Sequence, residues 1–236
     1  MFFRGLGTNY MDKVSFRKKI LAERGRIPEA VLRAKSEAAA GHLFDAGLYR
    51  EAKTIFCFVS IAGEPDTTPI IRQAFKDGKT LCVPRTCPDR TMEAVPVGAD
   101  AFERAFADWP RSFGIPEPPA ILQGWSLIAG EAPLIAGGSS LVSENGPVLC
   151  IVPSLAVDAD GYRLGFGGGY YDRLIGAYKR GQPEQKQTLQ PRPFFAAIQL
   201  DQFYYTKKLP REPHDMSVDA IITEKGIMII NDQEAG

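Results

Sequence analysis

The chain is poor in several features that would have narrowed its function quickly. It has two histidines, His42 and His214, too few for a histidine-rich zinc centre. Its four cysteines, Cys57, Cys82, Cys87 and Cys150, form no C-x-x-C pair. Three of them sit in apolar, strand-like runs, as buried thiols do in a reducing cytosol, so the expected location is cytoplasmic. Net charge is absent too: 28 Lys and Arg balance 28 Asp and Glu, without the basic excess of a nucleic-acid binder. No apolar run is long enough to cross a bilayer. The first residues lack the basic and apolar regions of a secretory signal, so residues 1–12 read as an N-terminal extension. A G-x-S-x-G elbow is missing, which argues against a serine hydrolase. Repeats and heptads are missing as well.

What the chain does have is one α/β domain's worth of alternating elements in 236 residues. Asp12 caps a helix predicted over 13–24, with Val14, Arg17, Leu21 and Arg24 along one side. Pro28 and Gly47 bracket a second helix. Thr54–Ser60 reads as a buried strand, and Thr67 or Thr68, Pro69 and Gly78 frame another helix. Strands follow at Lys79–Pro84 and at Met92–Val97, then at Val148–Val152 and Phe194–Leu200, with a last short one ending at Ile222. Phe113 to Pro118 reads as a rigid extended loop. Residues 120–146 make a long connection, and 179–193, polar and proline-bearing, read as a mobile insertion. The pattern predicts a three-layer α/β/α domain with a largely parallel sheet.

The chemistry concentrates between Asp160 and Asp172. A buried strand precedes this stretch and a helix from Tyr170 to Tyr178 follows it. A glycine-rich turn at a helix start presents unpaired amides and a helix dipole to an anion. Gly167, Gly168 and Gly169 are more glycine than an ordinary turn needs. Arg163 adds a permanent cation, and Asp172 a carboxylate able to hold a metal. The loop is not a Walker motif, because no lysine follows the glycines. Nor is it a dinucleotide fingerprint, which would need glycine at Tyr170. Lys13 and Arg17 leave one helix face together; solvent exposure is the ordinary explanation, a bridging anion the sharper one.

Arg163-Leu-Gly-Phe-Gly-Gly-Gly-Tyr-Tyr-Asp172 resembles the ATP-site signature of the 5-formyltetrahydrofolate cyclo-ligases, also called methenyltetrahydrofolate synthetases. Lys13-Val-Ser-Phe-Arg17 is similar to that family's N-terminal Lys-x-x-x-Arg, whose residues contact ATP phosphates, and Pro84-Arg85 agrees as well. The resemblance implies a Rossmann-like domain of the sugar-phosphate isomerase and CoA-transferase type. It implies ATP-binding roles for Lys13, Arg17, Arg163, Gly165, Gly167, Gly168, Gly169, Tyr170 and Tyr171. Folate contacts fall to Glu64, Phe113 and Tyr170, and magnesium ligands are Asp172 and Asp215. The implied reaction joins N10 to the formyl carbon of 5-formyltetrahydrofolate at the expense of ATP, giving 5,10-methenyltetrahydrofolate, ADP and phosphate. Where some members carry Lys or Arg within the glycine loop, this chain has Phe166 and Gly168, which shifts positive charge onto Lys13, Arg17 and Arg163. The expected partner is a small folate, with no nucleic acid, membrane or obligate protein partner. Two alternatives stay open: a related-fold isomerase or transferase, and a folate-binding protein without ATP turnover.

Overall fold

The structure is a computed structural model that describes residues 12–88, 90–105, 108–112, 114–126, 146–179 and 192–230. Phe113, the 1–11 extension, most of the 120–146 connection and the 180–191 part of the insertion lie outside the described residues. Among the described residues no helix is long and apolar enough to cross a membrane.

Helix α1 (Lys13–Arg24) starts where Asp12 accepts hydrogen bonds from the amides of Val14 and Ser15. Of the expected stripe Val14, Arg17, Leu21 and Arg24, only the two arginines turn toward the protein. Ile20 and Arg24 are buried with Lys13 and Arg17 turned toward the protein, whereas Val14 is 72% and Leu21 45% exposed. The 13/17/20/24 spacing is as good a helical stripe as 14/17/21/24. It prevails because the arginines find carbonyl partners across the domain. Helix α2 (Glu29–Asp45) follows Pro28 and breaks at Ala46 into the short α3 (Gly47–Glu51). Helix α4 (Thr68–Lys76) has Pro69 in its first turn, and Gly78, at φ +65°, turns the chain after it.

Strands β1 (Thr54–Cys57), β2 (Thr80–Thr86), β7 (Val148–Val152), β10 (Phe194–Ile198) and β12 (Ala220–Thr223) make a parallel core in the order β12-β10-β7-β1-β2. Phe56 stands level with Cys82 on one side and Cys150 on the other. The sheet is widened by antiparallel strands: β3 (Met92–Pro96) and β6 (Trp125–Ser126) beyond β2, and β13 (Gly226–Ile229) beyond β12. The expectation of a last strand ending at Ile222 is therefore corrected; the chain hairpins back from it through Gly226. Helix α5 (Ala99–Ala105) follows β3. Within the segment expected to be an extended loop, β5 (Ile115–Pro116) pairs antiparallel with β4 (Arg111–Ser112).

Side chains of the parallel strands alternate between two cores, as the pleat requires. Ile55 and Cys57 pack with Ala39, Leu43, Ile70 and Ala74 of α2 and α4. Phe56 and Cys150 pack on the opposite face with Leu174 and Ile175 of α6 (Tyr170–Lys179). Helices thus cover both faces of a mostly parallel sheet. A third cluster seats Ile20 of α1 among Leu155, Leu164, Leu200 and Phe203. Since Leu155 and Leu200 lie just past β7 and β10, α1 is docked at the carboxyl ends of the parallel strands, where open α/β sheets bind ligands.

Candidate active site

The glycine loop does not leave β7 directly, as expected from the sequence. A small hairpin of β8 (Ala156–Asp158) and β9 (Arg163–Leu164) intervenes, with β11 (Tyr204–Tyr205) alongside β8. Buried Asp158 builds its turn. One carboxylate oxygen accepts the amides of Asp160 and Tyr162, and the other accepts Leu209 and Arg211. The hairpin delivers residues 165–169 to the start of α6. Gly167 at φ +109° and Gly169 at φ +68° occupy backbone that a side chain rarely adopts. None of the amides of residues 166–169 donates to a protein acceptor among the described residues. The loop therefore offers a row of free N–H groups beside a helix N-terminus. At Gly168 the obstacle is steric: an added Cβ would lie 2.7 Å from the Tyr170 ring. Gly168→Ala is expected to displace that ring and weaken ligand binding at the loop while leaving the thermal midpoint within a few degrees. Calorimetric titration and a melting curve on the variant check both halves.

Arg17 and Arg163 lie against this loop, and Lys13 pairs with acids of the 212–215 turn. Arg17 donates from Nε to the Gly165 carbonyl at 2.8 Å. Its guanidinium carbon would be 3.7 Å from a Cβ at Gly167, so the side chain lies along the loop. Arg163, whose side chain is only 3% exposed, pairs with Asp172 Oδ1 at 3.0 Å, and its guanidinium stands 5.7 Å from the Tyr171 ring centre. Lys13 Nζ reaches Asp215 Oδ1 at 2.7 Å and Glu212 Oε2 at 2.9 Å. Burial disfavours the Lys13 ammonium, but the bonds from Asp215 and Glu212 outweigh it and raise its pKa above the ordinary lysine value. The same bond to Lys13 lowers the pKa of Glu212.

Two buried polar atoms in this region lack a hydrogen-bond partner among the described residues: Arg163 Nε and the Tyr171 hydroxyl. Buried polar groups in native folds are ordinarily paired, so orphans invite a ligand. Burial raises the Tyr171 pKa far above the tyrosine norm, so its hydroxyl stays protonated and able to donate. Asp172 accepts both Arg163 and the Met216 amide on Oδ1, and Oδ2 accepts no bond among the described residues. Oδ2 is therefore open to a cation.

A cleft of about 620 Å³ joins the loop to the end of β1. Its wall includes Leu21, Arg24, Leu155, the 60–64 turn with Glu64, and Phe166. Glu64 is 7% exposed and accepts the Ile61 amide on Oε2 at 3.0 Å. Burial raises its pKa, partly offset by that amide and by Arg24. Arg24 is itself 4% exposed; burial lowers its pKa to about 10, with Glu64 opposing the shift. The guanidinium donates to the carbonyls of Gly63 at 3.1 Å and Ser154 at 2.7 Å and to Gln199 Oε1 at 2.6 Å. One side chain thus ties α1 to the segments leaving β1, β7 and β10.

A model of the 5-formyltetrahydrofolate cyclo-ligase family matches residues 9–224. The chain belongs to that family. Among its relatives, the 5-formyltetrahydrofolate cyclo-ligase of Mycolicibacterium smegmatis is 28% identical over 91% of this chain and 94% of its own length. The mouse cyclo-ligase is 30% identical over 75% of each chain. The solution structure of Aquifex aeolicus 5,10-methenyltetrahydrofolate synthetase superposes with a TM-score of 0.65, at 26% identity and 95% coverage of both chains. A synthetase from Mycoplasma pneumoniae, 17% identical with a TM-score of 0.59, shares the fold.

Within this cyclo-ligase fold, the residues singled out in sequence come together around the loop and cleft. Arg17, Arg163, Tyr170, Tyr171 and Asp172 flank residues 165–169, Glu64 shares the cleft with Phe166, and Lys13 is held by Glu212 and Asp215. Asp215 lies one residue from Met216, whose amide binds Asp172, but its carboxylate is taken by Lys13 and the Glu212 amide. Carboxylate oxygens of Glu212 and Asp215 and a ring nitrogen of His214 lie within 4.8 Å of one another. Sequence reasoning passed over Arg24, Ser154 and Gln199. The available signal for Arg24 was its position seven residues after Arg17 on the same helical face.

Proposed function

We propose that the chain closes 5-formyltetrahydrofolate to 5,10-methenyltetrahydrofolate at the expense of ATP, releasing ADP and phosphate. The observation that carries this reading is the convergence, in a chain of this family, of free amides, Arg17 and Arg163 on a glycine loop whose Phe166 lines the same cleft as Glu64. It includes a single domain of the Rossmann-like, sugar-phosphate isomerase and CoA-transferase-like type, with a folate as substrate.

The residues fit both a polyphosphate and a divalent cation. Amides of 166–169, Arg17 and the orphaned Arg163 Nε and Tyr171 hydroxyl supply donors; Asp172 Oδ2 supplies a hard oxygen of the kind magnesium takes. Magnesium at Asp172 would neutralise charge on the transferred phosphoryl group. Lys13 and Asp215 neutralise one another in the structure; a polyphosphate would draw the ammonium and a cation the carboxylate. Arg17 and Arg163 fix the anion against the loop, so that catalysis rests on positioning. Glu64, nearly enclosed in the cleft wall, orients the folate. A formamide oxygen leaves poorly. Phosphorylated, it departs as phosphate when N10 attacks the formyl carbon, with the N10 proton lost on closure.

This route fixes the fate of one atom. With the formyl oxygen labelled as 18O, the label should appear in the released phosphate. Label recovered in water would overturn phosphorylation of the formyl oxygen.

A further inference from the structure

Two carbonyls of the glycine loop are held by arginines. Gly165 O belongs to Arg17, and Gly168 O accepts from Arg173 at 2.7 Å. Arg173 is exposed, in the first turn of α6, and its backbone amide donates to Gly169 O, so helix and loop are locked in register there. Its Nε donates to the Arg90 carbonyl at 3.0 Å. Arg90 sits at φ +63°, a left-handed conformation uncommon for a residue with a side chain, in the turn between β2 and β3. Arg173 therefore bridges the loop to that turn with two bonds from one rigid guanidinium.

The consequence follows from peptide geometry. In a planar trans peptide the carbonyl and the following amide point in opposite directions. Gly168 O held on Arg173 turns the Gly169 N–H to the opposite side of the chain. The same rule applied at Gly165 aims the Phe166 N–H away from Arg17 Nε. A free carbonyl in this loop would repel an anion; two carbonyls withdrawn onto guanidinium groups leave amides as the exposed dipoles. Preorganised donors of this kind bind without rearrangement when the ligand arrives.

We propose that Arg173 is a positioning residue for polyphosphate binding, acting by withdrawing the Gly168 carbonyl and bracing the loop on the Arg90 turn. This rests on the reading of the loop as the phosphate site. Its geometry is bidentate, which an arginine satisfies and a lysine does not.

The test compares the wild-type protein with Arg173→Met and Arg173→Lys. Affinities for inorganic tripolyphosphate with magnesium, and separately for 5-formyltetrahydrofolate, are measured by calorimetry. Both variants should lose about tenfold in tripolyphosphate affinity, the order expected for losing a charge-assisted hydrogen bond. The thermal midpoint should hold within a few degrees, since the side chain is exposed, and folate affinity should fall less than tripolyphosphate affinity, the Tyr170 ring 5.8 Å away being its one link to the folate side. Wild-type affinity in both variants would overturn the assignment. Full recovery in the lysine variant would overturn it too, because charge alone would then suffice. If the wild-type protein bound no tripolyphosphate, the reading of the loop itself would fail first, and the two failures are distinguishable.

Discussion

Arg24→Met is expected to lower the unfolding free energy by about 3–5 kcal/mol, because three acceptors each lose a charge-assisted hydrogen bond and the buried Glu64 loses a nearby cation. For a chain of this size that corresponds to a fall of about 6–20 °C in Tm. Gly63 O, Ser154 O and Gln199 Oε1 each lose this donor, although Ser154 O keeps Gln199 Nε2 and Gln199 Oε1 keeps the Leu200 amide. The effect should depend on pH with a definite sign. Burial raises the folded-state pKa of Glu64 above 4.5, so the native state binds its proton more readily than the unfolded chain. Between the unfolded and folded pKa values, stability then falls as pH rises. Removing Arg24 raises the folded pKa further, so the deficit of the variant should be largest at neutral pH and shrink on acidification. Adding Glu64→Gln should recover part of the loss, since the charge left stranded is then gone. Urea unfolding of the single and double variants across pH 5–8 reads all three outcomes. A deficit that is constant with pH, and not relieved by Glu64→Gln, would show that Arg24 contributes through its hydrogen bonds and packing and not by offsetting the charge of Glu64.

The second large effect concerns Asp172. Asp172→Asn keeps an oxygen to accept the Met216 amide but removes the negative charge that faces Arg163 and, on the reading proposed above, a metal. Loss of one preorganised electrostatic group costs about 10²–10³ in kcat. The expected result is a loss of that order with 5-formyltetrahydrofolate affinity nearly unchanged. Because Arg163 loses its partner in a buried position, Tm should be recorded beside the rate. A rate within about threefold of wild type would remove Asp172 from the phosphoryl-transfer machinery.

Much of this architecture was legible in the sequence where local signals agreed with the final environment. The Val148–Val152 run is uniformly apolar because its strand is covered on both faces, and it forms over just those residues. Helix α4 is bounded by the threonine, proline and glycine that stop and start helices for backbone reasons. Hidden features had weaker local signatures. The β8–β9 hairpin is three residues against two, and its turn depends on Asp158 reaching Leu209 and Arg211 some fifty positions later. Strand β1 stops at Cys57 although Phe58 and Val59 are buried, because burial continues past the point where the ladder ends. The expected α1 stripe is only half realised for a related reason: carbonyls contributed by distant segments draw Arg17 and Arg24 inward, while Val14 and Leu21 stay exposed.

For the site, residue types and spacing identified the glycine loop and its cations, since an anion cradle needs glycine, amides and positive charge in one place. They could not show that Lys13 faces Asp215 or that Arg163 faces Asp172. Both pairings span loops whose closure depends on the whole fold. The carbonyl clamp by Arg173 was equally out of reach, because it depends on a peptide orientation rather than on a residue type.

The most direct test of the whole account is the absorbance of the methenyl product on mixing the protein with 5-formyltetrahydrofolate and magnesium, with and without ATP. The account predicts product only with ATP, with one ADP formed for each ring closed. A folded protein that forms no product under those conditions, or forms it equally well without ATP, would contradict the central claim.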